Sequence, residues 1–135
     1  MISILLADDE TTLVNILAPW VRERFNGVVE VAYDGREAFE KLNIQPFDLL
    51  ITDIVMPHMN GVELIRKARG IFKGMPVIAM SGYYFSNIHD TGTDIAQLHM
   101  LFESGKMAFL AKPFRLSAME TIVIDLLKSK VDAGT

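Results

Sequence analysis

Hydrophobic residues along this chain follow two patterns in turn, and their alternation predicts five strands and five helices. Short apolar runs have the length of buried strands, whereas apolar residues at three- and four-residue steps indicate helices. The predicted strands are 2–7, 28–32, 47–52, 76–80 (ending on Ser81) and 107–111. The predicted helices are 10–25, a short helix after Asp34, 62–72, 94–104 and 116–130.

This order of elements predicts an α/β fold. Strands with a near-continuous apolar character are typical of a parallel sheet that helices cover on both faces. Because crossovers between parallel strands are right-handed, the predicted architecture is a doubly wound five-stranded sheet with five helices. The chain has 135 residues, which fits one domain over residues 1–127 followed by a short tail at 128–135.

Two short polar motifs predict how neighbouring elements begin. Asp34 is followed three residues later by Glu37, which is typical of the cap at the start of a helix. Asn60 and Gly61 form a dipeptide that predicts a turn after the third strand.

Several polar residues lie where predicted strands end. Asp8 and Asp9 follow the first strand, and Asp53, Ser81 and Lys112 follow the third, fourth and fifth. In open parallel sheets, ligands bind beyond the carboxyl ends of the strands. The sequence therefore predicts one functional site at that edge of the sheet.

Composition and charge exclude several classes of protein. The net charge is −4 without a run of Lys or Arg, which argues against direct nucleic-acid binding. The absence of cysteine excludes disulfides and thiolate metal sites. Since no apolar run reaches the length of a membrane span, we predict a cytoplasmic location without a membrane partner.

Three carboxylates at one site predict a hard divalent cation. Neighbouring acids repel one another and raise each other's pKa, and Mg²⁺ relieves that repulsion while preferring oxygen ligands. We expect Asp9 and Asp53 to be ligands, with Asp8 close behind them. The backbone carbonyl of Val55 is a further candidate ligand.

The same residues suit phosphoryl chemistry. An aspartate carboxylate can act as a nucleophile towards phosphorus and form an aspartyl phosphate, and Asp53 is our candidate. Lys112 would neutralise charge on the phosphoryl group, and the Ser81 hydroxyl would donate a hydrogen bond to it. Taken singly, a helix cap, a surface turn or an ordinary loop explains each residue, but four strand ends with compatible chemistry argue for function.

In this order, the motifs resemble those of the receiver domains of two-component response regulators. The matching residues are Asp8-Asp9, Asp53, Met56-Pro57, Asn60-Gly61, Ser81-Gly82 and Lys112-Pro113-Phe114. The resemblance implies a flavodoxin-like fold with strand order 2-1-3-4-5. It also implies that Asp53 accepts phosphate from a histidine kinase or phosphotransfer protein, with Mg²⁺ held by Asp8, Asp9 and Asp53. Ser81 and Lys112 would contact the phosphoryl group, and Phe109 matches the family's switch aromatic.

The interval between Ser81 and Lys112 departs from the family pattern. It is longer than one loop, one helix and one strand usually need, and the surplus falls in 82–92. Val55 and Tyr83 lie two residues beyond Asp53 and Ser81, at positions that resemble gates beside the phosphoryl group. Neither side chain offers a carboxylate or amide to orient water, which predicts slow loss of the phosphate.

Three functions remain open on the sequence. The first is a non-enzymatic phosphorylation switch of the fourth and fifth strands and the helices after them. Its output would come from a partner in trans or a missing C-terminal domain, and a homodimer stays open. The second is a phosphatase of the haloacid dehalogenase type, although there the nucleophile precedes the acidic pair. The third is a receiver-fold scaffold that is not phosphorylated.

Overall fold

The computed structural model describes residues 1–82, 100 and 106–128. Within these residues, five strands and four helices follow one another along the chain. The strands are β1 (Ser3–Ala7), β2 (Val28–Ala32), β3 (Leu49–Asp53), β4 (Val77–Ser81) and β5 (Met107–Ala111). The helices are α1 (Thr11–Phe25), α2 (Gly35–Ile44), α3 (Gly61–Ile71) and α4 (Leu116–Leu126).

All five strands pair in parallel in one sheet with the order β2-β1-β3-β4-β5. The doubly wound sheet and the strand order that the resemblance implied are therefore confirmed. Every residue of the central strand β3 is buried, as expected for a strand covered on both faces.

Two hydrophobic cores lie on opposite faces of the sheet. Because successive side chains of a strand point to opposite faces, Leu50 joins the core beneath α2 and α3, while Ile51 joins the core beneath α1 and α4. The apolar stripes of the helices cover both faces, with Leu17 and Val123 fully buried on the second. This arrangement leaves the carboxyl ends of the strands at one edge of the sheet.

The two predicted polar motifs have different outcomes. Asp34 caps α2, since its side chain accepts a hydrogen bond from the Glu37 N–H at 2.8 Å. Asn60, which was expected to form a turn, instead caps α3 by accepting from the Glu63 N–H at 2.9 Å. α3 therefore begins immediately after Asn60. The Asn60 side chain satisfies an N–H that the first helical turn would leave unpaired.

Several expected boundaries shift or fall outside the described residues. β3 extends through Asp53, and α4 spans Leu116–Leu126, while residues 129 and 130 of the expected last helix lie outside the described residues. The segment 82–92 lies outside the described residues apart from Gly82, as do the expected helix 94–104 apart from Met100 and the tail beyond Lys128. Across the described ranges, the helices are too short or too polar to cross a membrane.

Candidate functional site

The carboxyl ends of the strands bring three aspartates together. Asp8 and Asp9 follow β1, and Asp53 is the last residue of β3, the strand that pairs with β1. Each aspartate offers one carboxylate oxygen, and these three oxygens lie within 4.8 Å of one another. The predicted convergence of the acidic pair with Asp53 is thus present in the structure.

Asp53 is held in a fixed orientation. Its side chain is largely buried, and Oδ1 accepts a hydrogen bond from the Ile54 N–H at 2.9 Å. Its Oδ2 lies 3.4 Å from Lys112 Nζ. Burial and the neighbouring charge of Asp8 raise the pKa of Asp53 from 3.8 to about 6, although Lys112 and the Ile54 N–H act in the opposite direction. Any positive charge added near Asp53 would therefore stabilise its ionised form.

Asp8 and Lys112 form the closest ion pair of the site. Asp8 is fully buried, and its Oδ2 accepts from Lys112 Nζ at 2.7 Å across 104 positions of sequence. Burial alone would lower the pKa of Lys112, but the hydrogen bond to Asp8 and the charges of Asp53, Asp8 and Glu10 outweigh burial and raise it. The ammonium group consequently stays charged between the carboxylates.

The acidic pair does not act as a simple helix cap. Glu10 is the residue before α1, and its side chain makes no capping hydrogen bond. Asp8 Oδ1 instead accepts from the Glu10 N–H at 2.8 Å, while Asp9 is exposed beside the cluster. The two acids therefore have distinct environments, with Asp8 in the ion pair and Asp9 accessible from solvent.

Glu10 is a site residue that the sequence analysis missed. Its Oε1 lies 3.5 Å from Lys112 Nζ, which makes Glu10 a third acidic neighbour of Lys112, with Asp8 and Asp53, among the described residues. The available signal was its position directly after Asp8 and Asp9. That position alone could not reveal whether the side chain turns towards the strand ends or towards solvent.

Ser81 and Phe109 lie on the adjacent strands β4 and β5. Ser81 ends β4 and is buried, and its carbonyl accepts from the Lys112 N–H at 2.8 Å. This backbone bond places the two predicted phosphoryl contacts on adjacent strand ends. Phe109 of β5 is half-buried and packs against the core on the α2 and α3 face.

Close backbone packing positions the loop after Asp53. The Gly61 N–H donates to the Ile54 carbonyl at 2.7 Å. A Cβ atom on Gly61 would overlap the backbone carbonyl of Asp53, so α3 can start this close to β3 only with glycine there. The same loop contains His58 in the left-handed region, at φ 69°.

Of the two predicted gate residues, the structure describes Val55 but not Tyr83. Val55 is 52% exposed in the loop just beyond Asp53. Tyr83 lies outside the described residues. Their role as gates stays a prediction, as does that of the Val55 carbonyl as a metal ligand.

The donor set fits Mg²⁺. Asp8, Asp9 and Asp53 supply only carboxylate oxygens, the ligand type that this hard cation prefers, and exposed Asp9 leaves room for waters. These three residues would hold the ion. When bound, it would supply positive charge that offsets the carboxylate repulsion and the negative charge of a phosphoryl group.

We expect Asp9→Ala to weaken Mg²⁺ binding by about tenfold or more, the scale of losses at metal sites. Because Asp9 is exposed, the free energy of unfolding without Mg²⁺ should change by only about 0.5 kcal/mol. Titration calorimetry and denaturant unfolding measure the two quantities. Asp125→Ala, which removes an exposed acid of α4, is the matched control. Equal Mg²⁺ affinity in both variants would contradict a ligand role for Asp9.

Comparison with known proteins agrees with this geometry. The family model described as "Response regulator receiver domain" matches residues 4–124. The chain is 36% identical over 122 residues to "Transcription factor SKN7" of Chaetomium thermophilum, covering 89% of this chain and 15% of that protein. It is 36% identical over 80 residues to "Response regulator receiver protein CpdR" of Brucella abortus, covering 59% of this chain and 66% of that protein. The chain thus spans only part of the length of these relatives.

A solved structure of another response regulator has the same fold. The response regulator protein TrrA of Thermotoga maritima, determined in complex with Mg(2+)-BeF, superposes with a TM-score of 0.75 at 26% identity. The alignment covers 94% of this chain and 100% of that chain. The match over residues 4–124 supports the first of the three functions considered from the sequence, a signalling receiver. By sequence and by fold, the chain belongs to the response regulator receiver domain family.

Proposed function

We propose that Asp53 is the phosphoacceptor of this receiver domain and takes its phosphoryl group, in a Mg²⁺-dependent reaction, from a histidine kinase or a histidine phosphotransfer protein. One observation carries the proposal. Asp53 is oriented at a buried strand end, with two further carboxylates within 4.8 Å and the Lys112 ammonium 3.4 Å away.

The proposed step is an in-line displacement at phosphorus. A carboxylate oxygen of Asp53 forms a new O–P bond while the bond between phosphorus and the donor's imidazole nitrogen breaks. The electron pair of the broken bond stays on that nitrogen, which then takes up a proton. Such a transfer depends mainly on positioning and on charge stabilisation, and the fixed Asp53 carboxylate supplies the positioning.

Lys112 and Ser81 are proposed to recognise the phosphoryl group. Lys112 is already within 3.4 Å of Asp53, so its ammonium can neutralise an added phosphoryl oxygen with a small movement. Ser81 ends the adjacent strand β4, and its hydroxyl is a suitable donor. We propose that these contacts, with Phe109, alter the surface of β4, β5 and the helices that follow them, because a new dianion favours one of two loop arrangements.

The proposed role is signalling rather than enzymatic turnover. Residues 1–127 would form the receiver domain and 128–135 a short tail. The receiver domain would pass its signal to an effector in trans or to a C-terminal domain of a longer protein. A cytoplasmic location fits a partner that carries a phosphorylated histidine.

The test is the mass of the intact protein after incubation with acetyl phosphate. We expect one phosphoryl increment that requires Mg²⁺ and disappears with a chelator. Borohydride reduction followed by peptide mapping should place the modification on Asp53. No increment at saturating Mg²⁺, or an increment at another residue, would refute the proposal.

The lifetime of the phosphate tests the two gate residues. We expect the double variant Val55→Asn, Tyr83→Glu to lose its phosphate faster than the parent, because polar groups beside the acyl phosphate can orient an attacking water. Decay of the phosphorylated mass after removal of acetyl phosphate measures the rate. A lifetime that is unchanged or longer in the double variant would leave both side chains with packing roles only.

A further inference from the structure

The ammonium of Lys112 lies between acids of two different kinds. It contacts Asp8 Oδ2 at 2.7 Å, Asp53 Oδ2 at 3.4 Å and Glu10 Oε1 at 3.5 Å. Asp8 and Asp53 belong, with Asp9, to the three carboxylates whose oxygens lie within 4.8 Å of one another. Among the described residues, Glu10 is therefore the acidic neighbour of Lys112 that stands outside the proposed Mg²⁺ ligands.

The backbone of Glu10 is fixed beside the site, while its carboxylate is accessible. The Glu10 N–H donates to Asp8 Oδ1 at 2.8 Å, which fixes the point where the side chain starts. The side chain makes no capping hydrogen bond to α1 and is 55% exposed. Because water still reaches this carboxylate, it can pair with a cation without the large desolvation cost of a buried acid.

The ammonium of Lys112 needs an anionic partner wherever it lies within the site. The Lys112 side chain is only 14% exposed, and an unpaired buried charge is costly. Once Asp8 and Asp53 hold Mg²⁺, Lys112 shares its two closest partners with a dication that repels it. The Lys112 N–H is bonded to the Ser81 carbonyl at 2.8 Å, so the flexible four-carbon stem is the part that can move. Glu10 is the carboxylate within its reach.

We propose that Glu10 is a positioning residue, which binds the Lys112 ammonium when Asp8 and Asp53 hold Mg²⁺ and so keeps it beside Asp53. In the metal-free protein the contact is weak, as expected of an exposed ion pair. It becomes stronger when Lys112 loses the charge of its two closer partners. The inference rests on the proposed Mg²⁺ site but not on phosphorylation of Asp53, so a failure of acetyl phosphate labelling would leave it standing.

Removal of the Glu10 carboxylate should weaken Mg²⁺ binding, because Lys112 would then compete with the ion for Asp8 and Asp53. We expect Glu10→Gln to lower the Mg²⁺ affinity at least about threefold, the scale of one exposed charge contact. Titration calorimetry measures the affinity. Glu23→Gln is the matched control, since it removes the same charge from an exposed position near the other end of α1, roughly 20 Å along the helix axis. This control should bind Mg²⁺ as the parent does.

The variant Glu10→Asp separates the contact from the charge. It keeps the net charge, but its shorter side chain suits a helix cap, which withdraws the carboxylate from Lys112 towards the first N–H groups of α1. We expect Glu10→Asp to lose Mg²⁺ affinity as Glu10→Gln does, with no loss of stability in the absence of Mg²⁺. An affinity equal to that of the parent would show that only the charge matters and would overturn the proposal.

Nuclear magnetic resonance of protein with carbon-13-labelled lysine follows Lys112 directly. At saturating Mg²⁺, the Lys112 ε-methylene signal of the parent, assigned with Lys112→Arg, should stay apart from those of the exposed Lys73 and Lys106. In Glu10→Gln it should move to the shift of these exposed lysines, and in Glu23→Gln it should stay in place.

An unchanged Lys112 signal or an unchanged Mg²⁺ affinity in Glu10→Gln would overturn the positioning role of Glu10 alone. A parent protein that does not bind Mg²⁺ would overturn the proposed metal site together with this inference. The two failures are thus distinguished by the titration of the parent.

Discussion

Asp53→Asn should abolish phosphorylation and at the same time stabilise the folded protein at neutral pH. The loss of labelling follows because the amide is not a nucleophile towards phosphorus. The gain in stability follows because a buried, repelled carboxylate is replaced by a neutral group of the same shape. The Ile54 N–H can still donate to the remaining oxygen, and Lys112 keeps Asp8 as a partner at 2.7 Å.

The raised pKa of Asp53 determines that the substitution stabilises the folded protein and does not destabilise it. The pKa of Asp53 is raised from 3.8 to about 6 by folding, so between these values the native state binds more protons than the unfolded chain. Stability therefore falls as pH rises through this window. At pH 7 the penalty amounts to about 1–3 kcal/mol in the parent, and the Asn variant lacks it.

Denaturant unfolding of parent and variant from pH 4 to pH 8, without Mg²⁺, measures this difference. The two should be nearly equal at pH 4 and diverge towards pH 7. Adding Mg²⁺ should stabilise the parent more than the variant, because a ligand stabilises the state that binds it. Asp125→Asn is the control for loss of an exposed charge. A variant that is no more stable than the parent at any pH would contradict the argument.

Gly61→Ala should destabilise the fold by about 1–3 kcal/mol, the usual cost of overpacking, and slow phosphorylation of Asp53. The new Cβ would overlap the Asp53 carbonyl and lie 2.8 Å from the Ile54 Cα. Both obstacles are backbone atoms, which cannot rotate away as a flexible side chain does. Relief therefore requires moving either α3 or the strand end that carries the phosphoacceptor.

Gly70→Ala in the same helix is a matched control. A Cβ on Gly70 meets nothing within 4 Å, so the change should stabilise α3 by roughly 0.5–1 kcal/mol through helix propensity. Thermal unfolding and the rate of acetyl phosphate labelling compare the two variants. Opposite signs in stability are expected, with slower labelling only for Gly61→Ala. Similar effects at both glycines would show that the close approach at Gly61 is tolerated.

The local patterns of this sequence predicted most elements of the fold. Apolar runs and helical spacing identified all five strands and the four helices that the structure describes, because these periods reflect which face each residue buries. The cap by Asp34 could also be predicted from the sequence, because its partner Glu37 lies only three positions away. Asn60 shows the limit of such patterns, because the same dipeptide suits both a turn and a helix cap.

The sequence by itself determined which residues stand at the strand ends, and hence that acids, a serine and a lysine share one edge of the sheet. Only the tertiary structure decided how they divide their roles. Asp8 and Asp9 are neighbours in sequence, yet Asp8 is fully buried against Lys112 and Asp9 is exposed. The contacts of Glu10 with Lys112 and of Gly61 with Asp53 likewise join different elements. Such contacts depend on how the helices pack onto the sheet, which local periodicity does not encode.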